Sequence, residues 1–191
     1  MFSKGIKGAI IMDEAMIEKV ALDTIKEVDY IDNGDSIDII QIAKRLGFVV
    51  GNAFLNDDDD DGFIVVDEGK EEIFGIKTDK LIGVNSSKSL EWKRFIIAHE
   101  IGHYKLHYSM ERDGGIYAHR DHKKGKNIIE NEADFFAANI LMPREKFSRM
   151  YSELKEKKLT EEDIAMILAK RFVVTQMMAS RRIGELRLSE G

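Results

Sequence analysis

No cysteine occurs among the 191 residues, and there is one proline and one tryptophan. The missing thiol excludes disulfides, thiolate zinc sites, iron–sulfur clusters and cysteine nucleophiles together, and it fits a reducing compartment, here read as the cytoplasm. Any metal must therefore be held by histidine and carboxylate. Excess positive charge is missing too. With 29 Lys+Arg against 35 Asp+Glu, a net charge of -6 and a pI near 5.5, the molecule lacks the electrostatic footprint of a dedicated nucleic-acid binder. Long hydrophobic runs are also lacking. Stretches such as Phe95 to Ala98 and Val20 to Leu22 fall far short of the roughly 18 residues that cross a bilayer. The first eleven residues hold neither a signal-length apolar core nor a cleavage site, and they read as a frayed tail or a short helical turn. The chain is expected to be soluble, with no membrane partner.

What is present, 43% hydrophobic residues, suffices for one compact domain with at most a small appendage. From Asp13 to Tyr30 the apolar residues Met16, Ile17, Val20, Leu22, Ile25 and Val28 recur near a period of 3.6, which predicts a surface helix. Asp32 to Asp35 form a turn cluster, after which Asp35 or Ser36 can cap a second helix that Gly47 ends. Phe48 opens a strand, and the short runs Gly62 to Val66, Ile73 to Lys77 and Leu81 to Asn85 predict a small, largely antiparallel sheet. Ser89 can cap a helix whose one face carries Trp92, Phe95, Ile96, His99, Gly102, His103 and Leu106. Residues 109–126, rich in Gly, Lys and Arg, read as an exposed loop. Helix resumes from about Ile128 to about Leu141, and Pro143 suits the first position of the next one. Two further helices, Glu161 to Arg171 and Thr175 to about Leu188, complete an α+β chain. Its natural division is a main domain over 1–158 and a helical extension, helix-turn-helix-like, over 159–191.

The sharpest motif is His99-Glu100-Ile101-Gly102-His103, an HExxH. Four residues apart on a helix, the two imidazoles lie on one face and can share one metal, with Glu100 beside them to act on water. Burying two histidines and a glutamate together without a ligand would be costly. A catalytic zinc takes three protein ligands and an open position, and the third is to be sought among His107, His119, His122, Glu130, Glu132 and Asp134. His107 lies one turn past His103, about 6 Å along the axis, which puts it behind the site or at the surface. His119 and His122 belong to the expected loop, where a ligand would be poorly held. Glu130 and Asp134 form an i,i+4 pair beside the small residues Ala133 and Ala137, which permit a close approach of helices. Glu130 is therefore favoured as the third ligand and Asp134 as the acceptor for a ligand histidine's other N–H. Glu132 points roughly 200° around the helix from Glu130 and ranks second.

RFIIAHEIGHYKLH followed by ENEADFFAANILMP resembles the ImmA/IrrE group of zinc metallopeptidases. The pattern matches at Arg94-Phe95, Ala98-His99-Glu100, Gly102-His103, Glu130, Ala133-Asp134, Ala137 and Leu141-Met142-Pro143, and Gly83-Val84-Asn85 resembles the strand that precedes the active-site helix. The likeness covers about residues 35–188. It implies a zincin-like, specifically gluzincin-like, core over 1–158, Zn²⁺ held by His99, His103 and Glu130, and Glu100 as general base. It also implies cleavage of a regulatory protein, often a phage-type or mobile-element helix-turn-helix repressor. For the oxyanion the sequence offers Tyr104, Tyr117 and His119 without ranking them. The rival reading is a catalytically silent zinc-fold protein that sequesters a repressor or contacts DNA, in an antirepressor or toxin/antitoxin role. Glu100 argues against it, because zinc binding alone does not need that carboxylate.

Two further signals compete. Asp57-x-Asp59-x-Asp61-Gly62 with Glu68 satisfies the calcium-loop pattern of an EF-hand, but the flanks read as strands, so an acidic, solvated loop is expected. Residues 160–191 have the length of a helix-turn-helix, yet five acids and five bases leave them with no net charge. A packing or substrate-docking role is thus preferred to direct DNA binding, with Arg181 and Arg182 as the docking residues to test.

Overall fold

The computed structural model describes residues 12–30, 34–55, 60–108, 116–122 and 128–188, the side chains of residues 60 and 116–122 excepted. Expectations for residues 1–11 and for Asp57 to Asp59 lie outside that set. Helix α1 (Glu14–Glu27) starts where the Asp13 carboxylate accepts the Met16 N–H, and it buries Ile17, Ala21 and Thr24, a stripe of helical spacing. Helix α2 (Ile39–Arg45) is capped by Asp38, which accepts the Gln41 N–H at 3.0 Å. The helix therefore begins later than a cap at Asp35 or Ser36 would set it. Gly47 then turns the chain with φ 91°, a conformation glycine adopts without strain.

Strands β1 (Val49–Ala53), β2 (Asp60–Asp67), β3 (Lys80–Asn85) and β4 (Ile116–His122) form one sheet in the order β1-β3-β2-β4. The pair β3–β2 is antiparallel, as expected, and so is β2–β4, whereas β1 runs parallel to β3. Two expectations need correction. Ile73 to Lys77 is a tight turn, with Ile73 and Ile76 exchanging N–H···O bonds and Phe74 and Gly75 at φ 49° and 77°. An exposed loop across 109–126 is interrupted by β4, whose polar residues hide it because an edge strand needs little apolar content. The strand β2 also occupies the second half of the calcium-loop pattern, which rules out EF-hand geometry there. Its Asp61 is buried and takes Lys88 Nζ at 2.6 Å and Trp92 Nε1 at 2.9 Å, so it belongs to no solvated loop.

Helix α3 (Leu90–His107) starts at Ser89, whose hydroxyl accepts the Trp92 N–H. It is buried without a break from Ile96 to His103, because the sheet covers one side and α4 (Ile128–Leu141) the other. Glycines set both spacings. A Cβ on Gly62 of β2 would lie 2.5 Å from Ile96 Cγ2 and 3.6 Å from Glu100 Oε1, and one on Gly102 would lie 3.2 Å from the Ala133 Cα. Helices α5 (Arg144–Lys155), α6 (Glu161–Phe172) and α7 (Gln176–Glu185) follow.

The last helices join the same hydrophobic cluster, which runs from Ile17 through Ile97, Phe136 and Phe147 to Phe172 and Ile183. Two buried arginines fasten them. Arg94 donates to Ile37 O and Val173 O, and Arg182 donates to Met142 O and to Asn139 Oδ1. Arg182 is 1% exposed, so it is a packing residue and cannot serve with Arg181 as a docking pair. Among the described residues, no helix is long and apolar enough to cross a membrane.

Candidate metal centre

His99 and His103 sit one turn apart on the buried face of α3, with their Nε2 atoms 2.9 Å apart. Glu130, in the first turn of α4, brings Oε2 to 3.3 Å from His99 Nε2 and 3.5 Å from His103 Nε2. Among the described residues these three form the group of histidines and acids able to hold a metal. Ligands at 2.0–2.1 Å on a tetrahedral ion stand about 3.3 Å from one another, which is the size of this triangle. Two neutral imidazoles and a carboxylate suit Zn²⁺.

The close approach of α3 and α4 makes this possible. Gly102 faces Ala133 and Phe136, so the helix axes come near enough for a short Glu130 side chain to reach both histidines. One turn beyond Glu130, Asp134 Oδ1 lies 3.0 Å from His99 Nδ1 and so directs that ring's other nitrogen at the cluster. Burial of His99 opposes its protonation, but the hydrogen bonds to Asp134 and Glu130 and the nearby charge of Glu100 outweigh it, raising the pKa from 6.5 to about 10. Glu100 itself is wholly buried, held between β2 and the histidine face.

The remaining ligand candidates fall elsewhere. Glu132 is buried, but its Oε2 meets His107 Nε2 at 3.0 Å and its Oε1 accepts the Met12 N–H at 2.8 Å. His107 lies behind His103, with the two Nδ1 atoms 3.0 Å apart. His119 and His122 are on β4 and not in a loop, and their side chains, with that of Tyr117, are outside the described residues. The Tyr104 hydroxyl accepts from Lys80 Nζ at 3.1 Å and lines a cavity of about 450 Å³ with Glu27, Arg45 and Leu46, none of which belongs to the histidine cluster. That removes it from the oxyanion candidates. Helical spacing puts Trp92, Phe95 and His99 on one face, but it does not foresee the anchor that holds them. Trp92, anchored by Asp61, stacks on Phe95, whose ring centroid lies 6.4 Å from that of His99. Asp61 is camouflaged by the four aspartates before it.

A helix carrying two histidines and a glutamate, a second helix supplying a carboxylate, and a small sheet beside them define a metallopeptidase-like protein. The family model Peptidase_M78, described as the IrrE N-terminal-like domain, matches residues 43–184, and the chain belongs to that family. Membership brings a peptidase function at that level, with protein as the class of substrate. No curated protein matches the chain.

Proposed function

We propose that the protein is a zinc-dependent endopeptidase that cleaves a helix-turn-helix transcriptional repressor in the cytoplasm. The observation that carries the reading is the convergence of His99, His103 and Glu130 on one point with Glu100 in the next helical position. Held there, Zn²⁺ supplies Lewis acidity and makes water acidic near neutral pH. The chain's own groups do the rest. Asp134 fixes the His99 ring so that Nε2 presents its lone pair. Glu100 accepts a proton from the attacking water and returns it to the departing amine. Burial of Glu100 keeps bulk water from competing for that proton.

A protein partner suits the remaining surface better than DNA. Of the arginines on α7, Arg182 is buried and Arg181 is paired with Glu185 at 2.9 Å, which leaves little of the basic stripe that phosphate binding needs. The test is incubation of the zinc-loaded protein with a panel of purified helix-turn-helix repressors, read by intact mass. A discrete cut, abolished by 1,10-phenanthroline and restored by zinc, is expected. Stable binding of a repressor with no cleavage would overturn the reading in favour of sequestration.

A further inference from the structure

His103 differs from its partner ligand in what stands behind it. His99 is backed directly by the Asp134 carboxylate, whereas His103 Nδ1 lies 3.0 Å from another imidazole, His107 Nδ1, and His107 Nε2 lies 3.0 Å from Glu132 Oε2. The three residues share a seam between α3 and α4, His103 and Glu132 buried and His107 partly so. His103 is 0% exposed and Glu132 7%, although Glu132 is a residue type that is seldom buried without a partner. The other Glu132 oxygen accepts the Met12 N–H at 2.8 Å, so the backbone two residues before α1 holds the carboxylate at its far end.

One arrangement of protons satisfies this chain. A lone pair on His103 Nε2, facing Glu130 and His99, requires the proton on Nδ1. That N–H must be accepted by His107 Nδ1, which places the His107 proton on Nε2, where it is donated to Glu132. We infer that His107 and Glu132 are positioning residues that work in series. They fix the tautomer and ring orientation of His103 and increase the electron donation of its Nε2 toward a metal, as Asp134 does for His99 in a single step. The inference rests on the zinc reading of the site. Placing an imidazole between ligand and carboxylate lets α3 supply two of the three relay members one turn apart, while α4 supplies the third from the side of the helix opposed to Glu130.

The experiment measures zinc dissociation constants by chelator competition, with metal-free thermal stability alongside, for wild type, His107→Leu, His107→Gln, Glu132→Gln and the double variant His107→Leu/Glu132→Gln. Removing such an outer partner costs roughly 10- to 100-fold in metal affinity, and that loss is expected for His107→Leu. His107→Gln should recover part of it, because an amide can accept from His103 and donate to Glu132. In the double variant the loss should be no larger than in His107→Leu alone, since a relay cut once is not cut again. The visible absorption of the cobalt-substituted protein should change in His107→Leu. Equal zinc affinity in wild type and His107→Leu overturns the relay while leaving the metal centre standing. Additive losses, or a Gln variant no better than Leu, reduce both residues to packing and also overturn it. If wild type itself takes up no zinc, the centre fails first and the relay with it.

Discussion

Replacing Glu100 with Gln should leave zinc uptake intact and slow repressor cleavage by about 10²- to 10⁴-fold, the share of catalysis a positioned proton-transfer group contributes. Gln has the shape of Glu, and the side chain fills a wholly buried space between β2 and the histidine face, so the substitution changes charge and proton capacity without opening a cavity. It also removes one of the charges that hold His99 above its ordinary pKa. The two readouts are a cleavage time course and a chelator titration. Activity within tenfold of wild type would remove Glu100 from the proton-transfer role. Loss of zinc would instead make it part of the metal-holding set.

The second large effect falls on stability. Arg182→Ala should destabilise the fold by about 3–5 kcal/mol, whereas Arg181→Ala, one position earlier, should cost no more than about 0.5 kcal/mol. Arg182 is buried, and its guanidinium donates to Met142 O at 3.2 Å and Asn139 Oδ1 at 2.7 Å. Truncation leaves two buried acceptors and a cavity where α4, the helix of Glu130, ends. The Arg181 side chain is 65% exposed and forms an i,i+4 pair with Glu185, which water and salt screen. For a chain of this size the Arg182 variant should melt about 10 °C lower. Denaturation curves of the two variants measure the contrast directly. Equal midpoints would contradict the packing role of Arg182 and return it to the surface.

That pair shows why the C-terminal segment was only half legible from sequence. Helical periodicity places α6 and α7 within a few residues of their ends, but periodicity does not say which of two adjacent arginines turns inward. Burial of an arginine depends on acceptors from elsewhere, here the last turn of α4, and such partners are tertiary facts. The candidate metal ligands are the opposite case. His99 and His103 are fixed by local helix geometry, and Glu130 is favoured because Ala133, Asp134 and Ala137 share its helix with small or polar contacts. The structure brings all three together. The strand β4 is hidden because IYAHRDH, with a single isoleucine and four charged or imidazole side chains after Ala118, lacks the apolar alternation of a half-buried strand. The turn at Phe74-Gly75 is misread because apolar residues on both sides imitate a strand. What decides it is positive φ at two successive residues, which composition reports weakly. Glu132 carries the same lesson for the site: its spacing turns it away from Glu130, but only the fold shows that it turns toward His107.

The central claim is that His99, His103 and Glu130 hold one zinc. Elemental analysis of purified wild type and His103→Ala, side by side after zinc is supplied and excess removed, tests it most directly. The account predicts about one zinc per chain in wild type and a loss of it in the variant. Zinc absent from both, or retained unchanged by His103→Ala, would contradict it.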